Sequence, residues 1–283
     1  MNLSLENITE TSSNRGLFLK NKPKQKLQYM EVHHPHQPTH KRKWSEYLLE
    51  FLMLFFAVFL GFLSENYFEY RVERHKEHDY LISLQNDLKL DTSNINKSIK
   101  ASNLMLQAGK KMSAVIYNYN NSLENEIKLY RYGISITSTF ISVPFSLGTI
   151  TQLKNSGGLR LIRNIDILNA ISEYDNNYRL IESQLESVNL RQTEVLAAER
   201  PIFYHKVWIN NGSKVEVDTN IVRSIFTKKG TSLFSKNMED LITLDNTEQA
   251  HSGYTYFYNQ MCIKQKERAI SLINLINKEY AIK

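Results

Sequence analysis

The sequence predicts an all-α fold in which a single transmembrane helix continues into a long helix that packs in a helical bundle. Proline and glycine are scarce, 5 and 10 of 283 residues, which favours long helices. Residues 51–63 are apolar throughout, and further along the chain apolar residues recur at steps of three and four. We therefore expect a disordered basic tail (1–43), a transmembrane helix (44–66), a solvated helical neck (67–80) and a helical-bundle domain (81–283).

The N-terminal tail is polar and non-periodic, which is typical of disorder. Four histidines fall within eight positions, and a tract of this kind can bind a transition metal. They are His33, His34, His36 and His40. Two prolines keep the tract extended and no cysteine or acidic cluster completes a site, so a flexible basic segment is the alternative. The following Lys41, Arg42 and Lys43 predict contact with anionic membrane lipid.

The apolar run is shorter than the roughly 20 residues that a membrane span needs. Extended to Tyr47–Ser64 it would reach about 27 Å, with Glu50 included. Aromatic residues flank both ends, as at membrane interfaces; they are Trp44, Tyr47, Tyr67 and Tyr70. A buried core helix and a cleaved signal peptide are the alternatives. A signal peptide would need a shorter preceding region and a small-residue cleavage site.

The charges on the two sides of the run predict its orientation. Residues 20–43 carry seven lysines or arginines and one acid, whereas residues 65–79 carry three basic and five acidic residues. The positive-inside tendency then predicts a bacterial inner-membrane protein with a cytoplasmic N-terminus and a periplasmic C-terminal domain. Because the net charge of +6 is concentrated in the tail, it does not indicate nucleic acid binding.

One face of the predicted span carries its small and acidic residues. Glu50, Ala57, Gly61 and Ser64 lie within about 60° of one another at helical spacing. Ala57 and Gly61 form a small-xxx-small pair, which allows two helices to approach closely, and Glu50 would gain from facing a partner. We expect a helix–helix interface here, with a second copy or a partner membrane helix. Alternatively the stripe arises by chance and Glu50 extends to the cytoplasmic interface.

We expect the span to be part of one helix from about residue 42 to 116, because an apolar stripe follows the span and no proline interrupts the helix. Turn residues at 117–122 end it, and a helical piece at 124–131 follows. The alternating, β-branched segment 134–144 predicts an extended connector or a short edge strand.

A short helix at 146–156 should end at Gly157-Gly158, and Asn164 should cap the next helix, which Pro201 ends. Arg160 and Arg163 lie between these helices. Two arginines beside glycines at a helix start can hold an anion, or they can pair with carboxylates of a neighbouring helix in a structural turn.

Residues 202–280 give mixed signals. The predicted elements are a turn at 208–213, a strand fragment at 214–217, short helices at 222–226 and 237–242, and a final helix at 247–279. The single cysteine, Cys262, lies in that final helix. Since no base or metal partner is evident near it in the sequence, we expect a packing or surface residue rather than a catalytic thiol.

Three segments carry a resemblance to a known family. The first is His33–Leu63, the second comprises Tyr80–Leu84 with the pairs Asp87-Leu88 and Asp91-Thr92, and the third is Leu153–Asn164. Together they resemble a family of uncharacterised single-pass membrane proteins of Gram-negative bacteria. The resemblance implies an inner-membrane protein with a helical outer domain, and it brings no catalytic residues.

Common catalytic signatures are missing from the sequence. Lys228–Ser232 lacks the glycine spacing of a phosphate-binding loop, and no zinc, serine-hydrolase or dinucleotide motif is present. We therefore expect no enzyme and no cofactor, but a membrane-anchored interaction or scaffold protein of the cell envelope. The alternative is a ligand-binding sensor subunit that signals through a partner membrane protein, which would need a pocket enclosed between helices.

Overall fold

The computed structural model describes residues 43–212 and 214–280, and it confirms the all-α prediction. The chain divides into two compact units between Val58 and Phe59. The helices are α1 (Trp44–Tyr117), α2 (Leu123–Thr137), α3 (Gly148–Asn155), α4 (Ile165–Glu199), α5 (Thr219–Lys229) and α6 (Met238–Tyr280). Short 3-10 helices cover Gly158–Leu161 and His205–Val207, and strands β1 (Trp208–Asn211) and β2 (Lys214–Val217) pair antiparallel.

Within the second unit, α1, α4 and α6 form a bundle. α6 runs antiparallel to α1, because Glu77 meets Tyr280 and Ser98 meets Tyr258. α4 runs parallel to α1, because Glu77 of α1 meets Arg163 just before α4, and Asp91 of α1 meets Tyr174 of α4. Buried residues of α1 recur at alternating steps of three and four, the spacing of an interface helix. They include Glu77, Leu81, Leu84, Leu88, Asp91, Ile95, Ser98, Ser102, Met105, Met112 and Ile116.

Among the described residues, the core consists of three hydrophobic clusters in order along α1. The first surrounds Leu84, the second Ile95 and the third Met112. Three tyrosines are fully buried among them. Each buried leucine or isoleucine stabilises the fold by about 1.5–3 kcal/mol, so Leu88→Ala in the first cluster would cost about 2–5 kcal/mol.

Several of the predicted helix boundaries are confirmed, and local capping explains them. α1 ends at Tyr117, and the Ser122 hydroxyl caps α2 by accepting from the Asn125 N–H. Gly157 has a φ of 68°, the left-handed conformation that favours glycine after a helix. Asn164 Oδ1 accepts from the backbone N–H groups two and three residues later, at 2.9 and 3.2 Å. The predicted cap of α4 is confirmed.

The β-branched segment 134–144 was predicted as an extended connector or a short edge strand, but its first residues, 134–137, are helical. α2 continues to Thr137 because Ile136 is fully buried in the third cluster. Gln192 of α4 also donates to the Ile136 carbonyl oxygen at 2.8 Å. Tertiary packing here outweighs β-propensity. From 139 to 147 the chain has neither helix nor strand, as an extended connector requires.

Two further predictions near the C-terminus were wrong. Residues 208–211 form strand β1 rather than a turn. The turn lies at Gly212, whose φ is 61°. The helices predicted at 237–242 and 247–279 are one helix, α6. It continues through the gap because Leu244 and Glu248 are buried and extend its packed stripe.

Candidate functional site

The two predicted anion-contact residues lie beside the first part of α1 in the second unit. The Arg163 guanidinium carbon is 4.3 Å from the centre of the Tyr70 ring. Its Nη2 is 3.4 Å from Glu73 Oε2. A cation over an aromatic face and beside a carboxylate is already stabilised. Arg163 thus has the carboxylate partner that the structural-turn alternative describes.

The backbone of Arg163 belongs to a buried cluster, which we call the Glu77 clamp. Glu77 is fully buried, and its Oε1 accepts from the Arg163 N–H (2.8 Å) and the Tyr280 hydroxyl (2.6 Å). Its Oε2 accepts from Arg74 Nη1 at 2.7 Å. Asn164 Nδ2 also donates to Glu279 at 3.1 Å. The clamp joins α1 to the start of α4 and the end of α6, so one face of the segment predicted as a solvated neck is covered.

A groove of about 610 Å³ lies beside the clamp, between α1 and the turn that follows α3. Arg160 lines it together with Lys76. Three carboxylates line it as well, namely Glu65, Glu69 and Glu73. Because like charges repel, this balance of charges does not favour an anionic ligand. The groove thus gives no support to the anion contact of Arg160, which stays a prediction.

The predicted helix–helix interface lies in the apolar part of α1. Glu50, Ala57, Gly61 and Ser64 are all exposed. A Cβ atom added at Gly61 would have no atom within 4 Å, so the protein's own packing does not require glycine there. The partner for this face stays a prediction.

In the described part of the chain, α1 is the one helix long and apolar enough to cross a membrane. None of its most apolar 18-residue window is buried against the rest of the protein. This exposure does not fit a buried core helix, which was one of the two alternatives for this run.

The histidine tract lies outside the described residues, so His33, His34, His36 and His40 have no structural test. Among residues 43–212 and 214–280, no group of three or more His, Cys, Asp or Glu side chains is arranged to hold a metal ion. Cys262 is buried in the second cluster, and burial raises the pKa of its thiol to about 11. Of the two roles predicted for Cys262, packing and surface, its burial fits packing.

Sequence reasoning missed several buried acidic positions, among them Glu199 and Glu248. Glu199 is fully buried at the end of α4, and neither of its carboxyl oxygens has a hydrogen-bond partner. Glu248 of α6 is buried against Gly109 of α1 and accepts from the Ser252 hydroxyl at 2.8 Å. A signal was present in each case: both residues continue an apolar stripe, four residues after Val195 and Leu244 respectively.

No protein-family model, curated protein or solved structure matches this chain.

Proposed function

We propose that the protein is a membrane-anchored interaction protein of the bacterial envelope. In this proposal α1 crosses the inner membrane with its N-terminus in the cytoplasm, and the periplasmic bundle binds a protein partner. The spacing of the buried residues on α1 and α6 supports a coiled-coil arrangement of the bundle, in which buried polar residues fix the register.

The observation that carries the proposal is the contrast between the interior and the surface of the second unit. Its interior is filled by the three clusters, and the described grooves lie at the surface. Its surface exposes large aromatic side chains that do not belong to the apolar run. Phe140 is 79% exposed, Phe257 63% and Tyr256 52%. Exposed aromatic surface of this kind favours protein contacts over ligand storage.

The sensor alternative depends on a ligand pocket enclosed by helices. Two grooves among the described residues, of about 610 and 550 Å³, are open at the surface. The buried tyrosines use their hydroxyls within the fold: Tyr174 donates to Asp91 at 2.6 Å and Tyr130 to the Ser232 carbonyl at 2.7 Å. An interaction protein requires neither a pocket nor free polar groups inside. The interaction role is therefore the better supported of the two.

Crosslinking in the native membrane tests the role. A photoreactive amino acid replaces Phe257, and a matched control replaces Lys264, which is exposed on the same helix. We expect a defined adduct, identified by mass spectrometry, from position 257 and a weaker one from 264. A clean monomer from position 257, and from a third probe at Phe140, would contradict the proposed role.

The topology and the membrane face need separate tests. An alkaline phosphatase fusion after Lys283 should be active, and an inactive fusion would overturn the proposed orientation. For the predicted interface, Gly61→Ile should weaken self-association in a membrane reporter assay, because a branched side chain separates the two helices. Val58→Ile, in the same exposed apolar run, is the control. Equal association of both variants would contradict the interface.

A further inference from the structure

We propose that the free edge of β2 binds an extended, acidic peptide segment of a partner protein as an added strand. The inference rests on the proposed interaction role, because it assigns a docking surface and a partner chemistry to it. The surface, which we call the β2 groove, lies between β2 and α2.

The backbone of β2 has hydrogen-bonding groups available on one side. Asp218 N–H donates to the Val207 carbonyl oxygen at 2.8 Å, just beyond the register that pairs Trp208 with Val217. Residues of an antiparallel pair alternate between facing the partner strand and facing away from it. Val215 and Val217 therefore direct their N–H and C=O groups away from β1. Among the described residues, no group forms a hydrogen bond with them on that side.

The β2 groove lies on this outward side. Its volume is about 550 Å³, and all four residues of β2 line it while none of β1 does. Its other wall comes from α2 and the residues after it, through Ile134, Ser135, Ser138 and Thr139. At about 3.3 Å per residue, a strand matched to β2 would place about four residues in the groove. Strand addition to an exposed edge uses backbone hydrogen bonds for affinity and alternate side chains for specificity.

The charges of the groove select an acidic partner. Arg131 and Lys214 line it, and neither has a carboxylate within 4 Å in the described part of the chain. Glu216, the acidic residue in the lining, accepts a hydrogen bond from Asn211 at 3.0 Å. The surrounding segment 200–237 contains seven basic and two acidic residues. A bound segment would gain from carboxylates opposite these cations.

The side chains of the groove also specify the apolar positions of the partner. Val215 and Val217 are half-buried, while Lys214 and Glu216 on the opposite face of the strand are exposed. A bound strand follows the same alternation of faces. Its apolar residues would pack beside Ile134 and the two valines, and its acidic residues would alternate with them. An alternating valine–glutamate peptide therefore represents the proposed partner.

Binding is measured with the full-length protein in lipid nanodiscs and a fluorescein-labelled hexapeptide of alternating valine and glutamate. Fluorescence anisotropy should show saturable binding that weakens as salt rises. A valine–lysine hexapeptide should bind at least about tenfold more weakly because its charges repel Arg131 and Lys214. Arg131→Glu should reduce affinity for the glutamate peptide by about tenfold. Lys264→Glu, an exposed charge reversal on α6, should leave the affinity unchanged.

Backbone pairing has its own test that leaves the protein intact. Two versions of the glutamate peptide carry N-methyl groups at odd or at even positions, so that one set of methyl groups faces β2 and the other faces away. One version should lose binding and the other should keep it. Val215→Pro is a second test, because it removes the outward N–H of β2 without removing a hydrogen bond to β1, and edge strands tolerate proline at such a position. The variant should bind the peptide more weakly and keep the melting temperature of the wild type.

Equal binding of the two N-methylated peptides, or an unchanged affinity in Arg131→Glu, would overturn the inference. Failure of the glutamate peptide to bind would also overturn it, and a partner adduct at Phe257 in the same protein would leave the interaction role standing. If the peptide binds but neither Phe257 nor Phe140 gives an adduct, the β2 groove is supported as a binding site. The interaction role is then contradicted for the surfaces around Phe257 and Phe140.

Discussion

Glu199 should make the stability of the bundle depend on pH. Its carboxyl is buried beside Gly133 and Phe203: a Cβ atom added at Gly133 would lie 2.7 Å from Glu199 Oε1. Burial raises the pKa of this carboxyl to about 8. Neither carboxyl oxygen has a hydrogen-bond partner, because the nearby Thr137 hydroxyl donates to the Gly133 carbonyl oxygen at 3.0 Å instead.

The direction of the effect follows from proton binding. The ordinary pKa of the carboxyl in the unfolded chain is 4.5, below that of the folded state. Between these two values the folded state holds a proton that the unfolded state has released. The free energy of unfolding therefore falls as pH rises through this window, and it levels off above about pH 8. At about 1.36 kcal/mol per unit, the full change is roughly 5 kcal/mol.

Glu199→Gln removes the titrating group while keeping the shape of the side chain. The variant should match the wild type near the acidic end of the window and exceed its free energy of unfolding by several kcal/mol at about pH 8.5. Urea unfolding in detergent, followed by circular dichroism between about pH 5 and 9, measures the difference. Glu186→Gln, an exposed change on the same helix, should show no such divergence. Parallel curves for the wild type and Glu199→Gln would refute the reasoning.

Three further predictions follow from buried groups and caps. Gly109→Ala should destabilise the protein by about 1–3 kcal/mol, because its Cβ would overlap with the Glu248 carboxyl. Gly253→Ala, also within a helix but in open space, should stabilise it by up to about 1 kcal/mol in the same urea experiment. Cys262 should react with a maleimide only after unfolding, and fast labelling of the native protein would contradict its burial. Asn164→Ala should lower the melting temperature through a loss of about 1 kcal/mol, while Asn164→Asp should retain the cap.

The sequence predicted the features that depend on local chemistry. The end of α1, the glycine after α3 and the asparagine cap of α4 each depend on residues within one helical turn. The apolar run was also recognisable, because no other stretch of the chain is as long without a charged or hydrogen-bonding side chain. Such signals do not depend on which helices later pack together.

The errors lie where distant residues decide the local structure. Ile136 is helical because it enters a cluster with residues of α4 and α6, and its own β-branched neighbours favour the opposite choice. Trp208–Asn211 is a strand because Lys214–Val217 pairs with it, although its asparagines are common in turns. The β2 groove was invisible for the same reason, since its two walls are separated by about 80 residues of sequence.

Polar residues within the packed stripes explain why apolar periodicity alone did not reveal all the interface positions of the bundle. Glu77, Asp91 and Glu248 occupy interface positions that a count of apolar residues reads as interruptions. Each of the first two reaches a fixed partner on another helix: Glu77 meets Tyr280, and Asp91 meets Tyr174. A leucine layer can slide by one turn and still be buried, whereas a displaced carboxylate would be left buried and unpaired at a large energetic cost. The register of the bundle is therefore set by its buried polar contacts, and its leucines supply most of the stability.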